Sequence, residues 1–379
     1  MLNRRTLRIK TMQTIFAFMQ SKDSHYNIGR QNFEKTFAPD LNSMEVQDTV
    51  LLKAQRDEAK KLFAQYYRQK GVSVNSSEDE KVNIATTNAI SDYYRSIEKD
   101  RKFFRSHMVN EAEKIYDRYV LMLQLLVEFA QFAETDKRVK GGNFVKNLLI
   151  KALKFNKSVE SAILKHNLSW SSEIDDLKSW YKELIRNDKT FIEYLDKPET
   201  AYSDDFEIVL HLVKATFKND FFSSYMEEKD INWTENKLIV RSMVLKTIKE
   251  INEESPEDFE LTELSYNWED DKAFFIKLYD ETLDLDSEYK EMIALRTKNW
   301  DIDRLAAVDR ISLEMGVTEM LNFPSIPVKV TINEYIELVK NYSTPKSKQF
   351  INGILDTISK ELIDQGKIKK SGRGLLDNR

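Results

Sequence analysis

The chain has 379 residues, a net charge of −5, no cysteine, and only nine glycines and six prolines. The missing cysteine excludes disulfides and thiolate metal sites and fits a reducing cytoplasm. No run approaches the roughly 20 apolar residues of a membrane helix. With 41% hydrophobic and 32% charged residues the chain can bury a core and still solvate its surface.

Strands, hairpins and nucleotide loops consume Gly and Pro at their turns, so the scarcity of these two predicts an all-α fold of long helices joined by polar loops. Residues 4–20, RRTLRIKTMQTIFAFMQ, place Leu7, Met12, Ile15, Phe16 and Met19 at helical spacing. Arg4, Arg5, Arg8 and Lys10 crowd the start of that helix, against its dipole. They read either as a solvated end or as groups awaiting an external anion. The segment is amphipathic, which makes it a poor signal peptide.

A polar connector with Gly29 and Pro39 is expected at 21–40. A helix follows at 43–70, with Val46, Val50, Leu51, Ala54, Ala59, Leu62 and Phe63 as its buried stripe, and then a loop at 71–80. Helical patterning resumes at 81–133, with a candidate break near Arg105, and Gly141 and Gly142 punctuate it. Helices are then expected at 143–166, 172–187, 188–196, 205–228 and 234–251. Ser255 and Pro256 mark a break, followed by helices at 269–297, 301–321, 332–342 and 345–365. Trp233 and Trp300 each follow an Asn and precede a similarly patterned helix, which suggests a duplicated hairpin or chance similarity.

The C-terminal part carries Asn299-Trp300, Asp303-Arg304-Leu305, Asp309-Arg310, Leu313 and Glu319 in order. After these come Ile326-Pro327, Lys329-Val330, Ile332-Asn333-Glu334, Ile336-Glu337-Leu338, Lys340, Ser347, Phe350 and Asn352-Gly353. In this order they resemble the NusB family, as does the first helix with Arg4, Arg5 and Arg8. The resemblance covers roughly a third of the chain. It divides the chain into an Arg-rich RNA-binding first helix (1–20), a helical insertion (21–268) with a candidate NusB-like hairpin repeat at 205–250, a NusB-like core (269–366) and a flexible basic tail (367–379).

The resemblance implies two small helical bundles and pairing with a small-subunit ribosomal protein, NusE. It also implies binding of single-stranded boxA-type RNA within an antitermination complex with RNA polymerase, supporting ribosomal RNA transcription and ribosome assembly. It points to Arg4, Arg5, Arg8, Phe16 and Phe350 for RNA, with core packing as the other reading of the two phenylalanines, and Lys10 joins the arginines as a charge able to neutralise phosphate. Lys346 stands where the family often has an acid, a change that favours phosphate, and Lys348 lies beside it. Asp309 and Glu319 are candidates for the basic ribosomal partner, for a solvated surface or for intramolecular salt bridges. Glu314 and Thr318 depart from the family's usual basic and aromatic residues, which puts the surface contacts of their helix in doubt.

Other matched positions have structural readings. Thr331 and Glu334 have capping-box spacing, and Thr344-Pro345 fits a cap followed by proline at the first helical position. Gly316 and Gly353 suit close helix packing, and Trp300 suits the core. Nothing points to an enzyme or a cofactor. His25, His107, His166 and His211 lack metal-ligand spacing, and no glycine-rich phosphate loop occurs. The alternative functions are a helical protein-interaction scaffold that has lost RNA binding and an RNA binder that needs no ribosomal partner.

Overall fold

The computed structural model describes residues 1–68, 76–139, 142–297 and 306–378. Among them every regular element is helical. In chain order these are α1 (Arg4–Thr36), α2 (Thr49–Arg68), α3 (Glu80–Thr135), α4 (Gly142–Lys146), α5 (Leu148–Phe155), α6 (Lys157–His166), α7 (Ile174–Trp180) and α8 (Lys189–Leu195). They continue as α9 (Tyr202–Lys218), α10 (Asp220–Lys229), α11 (Trp233–Glu250), α12 (Trp268–Leu283), α13 (Ser287–Thr297), α14 (Ala307–Asn322), α15 (Val328–Tyr342) and α16 (Ser347–Asp364). A π-helical turn, Tyr181–Arg186, extends α7. The chain forms two compact units, one of Met1–Asn3 with Asn110–Lys272, the other of Arg4–Val109 with Ala273–Arg379.

The second unit is built around α14. Ile311, Ser312, Leu313, Met315, Val317, Thr318 and Glu319 are all buried, and α1, α13, α15 and α16 pack against the helix. A helix apolar on every side belongs in an interior. Thr318 is therefore a core residue and not the surface contact its departure from the family suggested. Gly316 does permit close packing, because a Cβ there would stand 3.0 Å from Leu355 Cδ2 and 3.5 Å from Tyr335 Cδ2. Gly353 faces open space and has no such role.

The same unit carries a three-helix arm. The expected connector at 21–40 is mostly helix, because α1 continues to Thr36 and buries Phe18 and Phe33. With Phe37 they pack on Ala59, Leu62 and Phe63 of α2 and on Val82, Tyr93 and Ile97 of α3. Gly29 is a packing glycine here: a Cβ would lie 2.8 Å from Phe63 Cε1. The expected stripe of α2 is half wrong. Asp48 accepts hydrogen bonds from the Val50 and Leu51 amides, which starts the helix at Thr49 rather than at 43. From that start Gln55, Ala59, Leu62 and Phe63 face inward, while Val46, Val50, Leu51 and Ala54 are exposed. No break occurs at Arg105 in α3. Arg105 Nε binds Asp280 at 2.8 Å and Arg101 Nη1 binds Asp284 at 2.7 Å, so the polar stretch is held against α12.

In the other unit, helices expected to be continuous are cut by asparagines. Asn147 Oδ1 accepts from the Leu149 and Ile150 amides and Asn156 Oδ1 from the Val159 amide, so 143–166 becomes α4, α5 and α6. Asn219 does the same for Phe222 and separates α9 from α10. Each satisfies amides that a helix start leaves free. Asn156 Nδ2 also donates to the Glu257 and Phe259 carbonyls, both at 2.9 Å, which pins the chain beyond Pro256. Trp233 is wholly buried, while Trp300, its counterpart in the candidate repeat, lies outside the described residues, as does Gly141.

Candidate nucleic-acid interface

The basic residues that open α1 meet three different fates within the second unit. Arg8 is 4% exposed and enters the core. Its Nε and Nη2 donate to Glu319 Oε2 and Oε1 at 2.7 and 2.8 Å. Thr331 Oγ1 (2.8 Å) and Tyr335 Oη (3.2 Å) donate to the same carboxylate. Burial alone would lower the Arg8 pKa, but the charge and hydrogen bonds of Glu319 outweigh it and raise the value. Arg8 and Glu319, read from the sequence as RNA and partner contacts, are thus spent on each other.

Arg5 stays half exposed and pairs with Glu334 of α15, Nε to Oε2 at 2.9 Å and Nη2 to Oε1 at 2.8 Å. Thr331 and Glu334 therefore make tertiary bonds and no capping box, since α15 starts earlier, at Val328 after Pro327. The hydrogen bonds from Arg5 hold the Glu334 carboxyl below its ordinary value, against the upward push of burial. A depressed folded-state value contributes stability above the unfolded value of 4.5, lost as pH falls through the folded one. Glu334→Gln is expected to remove this acid-side slope while costing about 1 kcal/mol or less at neutral pH, because the pair is partly solvated. Urea denaturation as a function of pH checks this, and an unchanged slope below pH 4.5 would show that the pair does not form.

Arg4 lies over the ring of Phe274, 4.9 Å from its centroid. Phe274 packs edge-on against Phe323, with centroids 5.1 Å apart. Lys277 sits 5.2 Å from the Phe323 ring centroid, and its Nζ donates to the Asn322 carbonyl at 2.9 Å. Lys370 Nζ donates to the Phe323 carbonyl at 3.0 Å, and the Ser371 amide to Pro324 O at 3.0 Å. Two basic ends of the sequence thus meet at the C-terminal end of α14, where cations complement the dipole and cap free carbonyls. The segment expected to be a flexible tail is tied here, and at Gly374 a Cβ would lie 2.0 Å from Pro324 O. Lys277, Phe274 and Phe323 carried no local signal: only the fold brings α12 to the start of α1.

Lys346 and Lys348 are exposed at the start of α16. This helix begins at Ser347, not at the expected Pro345, and has no side-chain cap from Lys346. Thr344 forms a turn, its carbonyl accepting from the Ser347 amide at 2.9 Å. Ser347 Oγ donates to Asp309 Oδ2 at 2.7 Å, and Asp309 is 5% exposed, so this second expected partner contact is also interior. Asp309 opens α14 while Phe323 ends it, so the two basic groups stand at opposite ends of a helix about 24 Å long. Phe16 is 38% exposed on α1, whereas Lys10 and Phe350 are buried, which favours core packing for Phe350. Glu314 is 3.9 Å from Arg310, one turn away. Asn299, Trp300, Asp303, Arg304 and Leu305 lie outside the described residues.

Among the described residues no cluster of His, Asp or Glu could hold a metal ion, and no helix is long and apolar enough to cross a membrane.

The model of the NusB family matches residues 238–360, from α11 into α16. The chain is 46% identical over 105 residues to the transcription antitermination protein NusB of Salinibacter ruber, covering 28% of this chain and 66% of that protein. It is 40% identical over 106 residues to the protein of the same name from Chloroherpeton thalassium, covering 28% and 50% respectively. Against that of Dictyoglomus turgidum it is 37% identical over 106 residues, covering 28% of this chain and 72% of the relative. The chain therefore spans less than two thirds of the length of the first two relatives. No solved structure matches. On the strength of these matches, and of an all-helical core built as the ordered C-terminal motif leads one to expect, the chain belongs to the NusB family.

Proposed function

We propose that the chain is an RNA-binding transcription antitermination factor and not an enzyme. In this reading it acts with the small-subunit ribosomal protein NusE on single-stranded boxA-type RNA, in a complex with RNA polymerase, and supports ribosomal RNA transcription and ribosome assembly. Residues 21–268 are read as a helical insertion, although the family match already begins at 238. The relatives' names support the antitermination role. The observation that carries RNA binding is the convergence of Arg4, Lys277 and Lys370 around Phe274 and Phe323. Arg5 lies beside it, and Lys346 and Lys348 form a second basic group.

Fluorescence anisotropy of a labelled boxA-type RNA, titrated with the full chain with and without the ribosomal protein, tests this. Binding should tighten with the partner present. Arg4→Ala, Arg5→Ala and Lys277→Ala together should weaken it at least about tenfold and reduce the log–log salt slope by about two, as expected for three lost phosphate contacts on a single strand. Lys346→Glu should weaken it further, and an unchanged affinity and slope would remove Lys346 from the interface. Absence of RNA binding in every arm would favour the scaffold reading. The observation on that side is that Arg8, Lys10, Asp309 and Glu319 are all interior.

A further inference from the structure

The unit formed by Met1–Asn3 and Asn110–Lys272 carries a groove of about 840 Å³ that the RNA reading does not use. It is lined by Tyr116 and Asp117 of α3, by His166 at the end of α6, and by the non-helical stretch leading into α12 that includes Glu263, Ser265 and Tyr266. That stretch is firmly held. The Thr262 amide donates to Tyr119 Oη at 3.0 Å, Thr262 and Thr247 hydroxyls meet at 2.9 Å, and the Leu2 amide donates to Leu264 O at 2.7 Å. The groove is therefore largely preformed.

Several of its charges are already committed. Glu113 accepts from Trp268 Nε1 at 3.0 Å and from Lys272 Nζ at 2.9 Å, and Asp117 meets His166 Nδ1 at 2.7 Å. Glu263 and Glu269 are exposed and have no ion pair among the described residues. Ser265 is 1% exposed, and its hydroxyl has no partner among the described residues. Tyr266 is 89% exposed, a large aromatic face offered at the rim. Lys114, paired with Glu111, and Lys165 also line the groove, but the carboxylates of Glu113, Asp117, Glu263 and Glu269 outnumber them, and burial followed by Asp117, Glu260 and Glu263 pushes the Tyr116 hydroxyl above its ordinary value.

Acceptors without partners, an aromatic rim and an excess of carboxylates in the lining suit a planar cation with many donors. We propose that this groove binds an arginine side chain carried on an extended basic segment of a partner protein. The guanidinium lies against Tyr116 and Tyr266 and donates to Glu263 and Glu269, with the Ser265 hydroxyl as a further acceptor. A lysine offers a compact charge without the planar face. The volume accommodates a short peptide rather than one side chain alone. None of this depends on RNA binding.

The test is calorimetric titration of the full chain with acetyl-Gly-Arg-Gly-Arg-Gly-amide, beside its lysine counterpart and free L-arginine. Saturable one-site binding is expected, at least about fivefold weaker for the lysine peptide. Glu263→Gln with Glu269→Gln should weaken it at least about tenfold, since charge-assisted bonds are lost. Both residues are exposed, so far-UV circular dichroism should match the unaltered chain, and Ser265→Ala gives an independent second variant with a smaller loss. Absence of saturable binding, equal affinity for the lysine peptide, or indifference to these variants would each overturn the proposal. Free arginine binding as tightly as the peptide would overturn peptide docking and leave the groove to the amino acid itself.

Discussion

Glu319→Ala is expected to lower the unfolding free energy by about 3–5 kcal/mol, the cost of leaving a buried charge without its partner. Arg8 would remain in the interior of the second unit with no carboxylate to receive Nε and Nη2, and Thr331 and Tyr335 would lose their acceptor. Arg8→Ala should cost a similar amount, because Glu319 is 0% exposed. Arg8→Met combined with Glu319→Leu should recover most of the loss, since replacing both charges removes the uncompensated one. Urea denaturation followed by circular dichroism measures all three. A cost below about 1 kcal/mol for either single variant would place the pair in solvent and reopen Arg8 as an RNA contact.

Phe63→Ala should cost about 3–5 kcal/mol, as for other fully buried aromatic residues. Phe63 is 0% exposed and touches the rings of Tyr26, Phe33 and Tyr93. Its contact with Gly29 supplies a sharper test. Gly29→Ala alone should destabilise, because the new methyl meets the Phe63 ring at 2.8 Å. In the Phe63→Ala background the clash is gone, and alanine's better helix propensity, worth about 1 kcal/mol over glycine, should make the same change neutral or favourable. A double-mutant cycle reads that change of sign directly. Additive effects would mean that α1 does not cross Phe63 at Gly29.

The C-terminal helices were legible because they combine helical periodicity with an ordered set of motif residues, except that the single helix expected at 269–297 is divided into α12 and α13 between Leu283 and Ser287. The arm was not. Gly29 and Pro39 have the composition of a loop, and only the ring of Phe63 explains why a glycine sits inside a helix. The asparagine caps at 147, 156 and 219 interrupt patterns that look continuous, since Asn is unremarkable in sequence until its side chain bonds the next turn. The functional end was half legible. The arginines of α1 stood out by number, yet which of them faces solvent depends on Glu319 and Glu334, more than 300 positions away. Lys277 and Lys370 join that end through backbone carbonyls of the α14 terminus, a pattern with no sequence signature.

The uninterrupted course of α1 has a mechanical consequence. Its 33 residues make a rod about 50 Å long, with no proline and its one glycine wedged against an aromatic ring. One end presents Arg4 and Arg5, and the other is clamped between α2 and α3. Such a rod has no slack to absorb a tilt. Whatever grips the arm also sets the angle at which those arginines are offered.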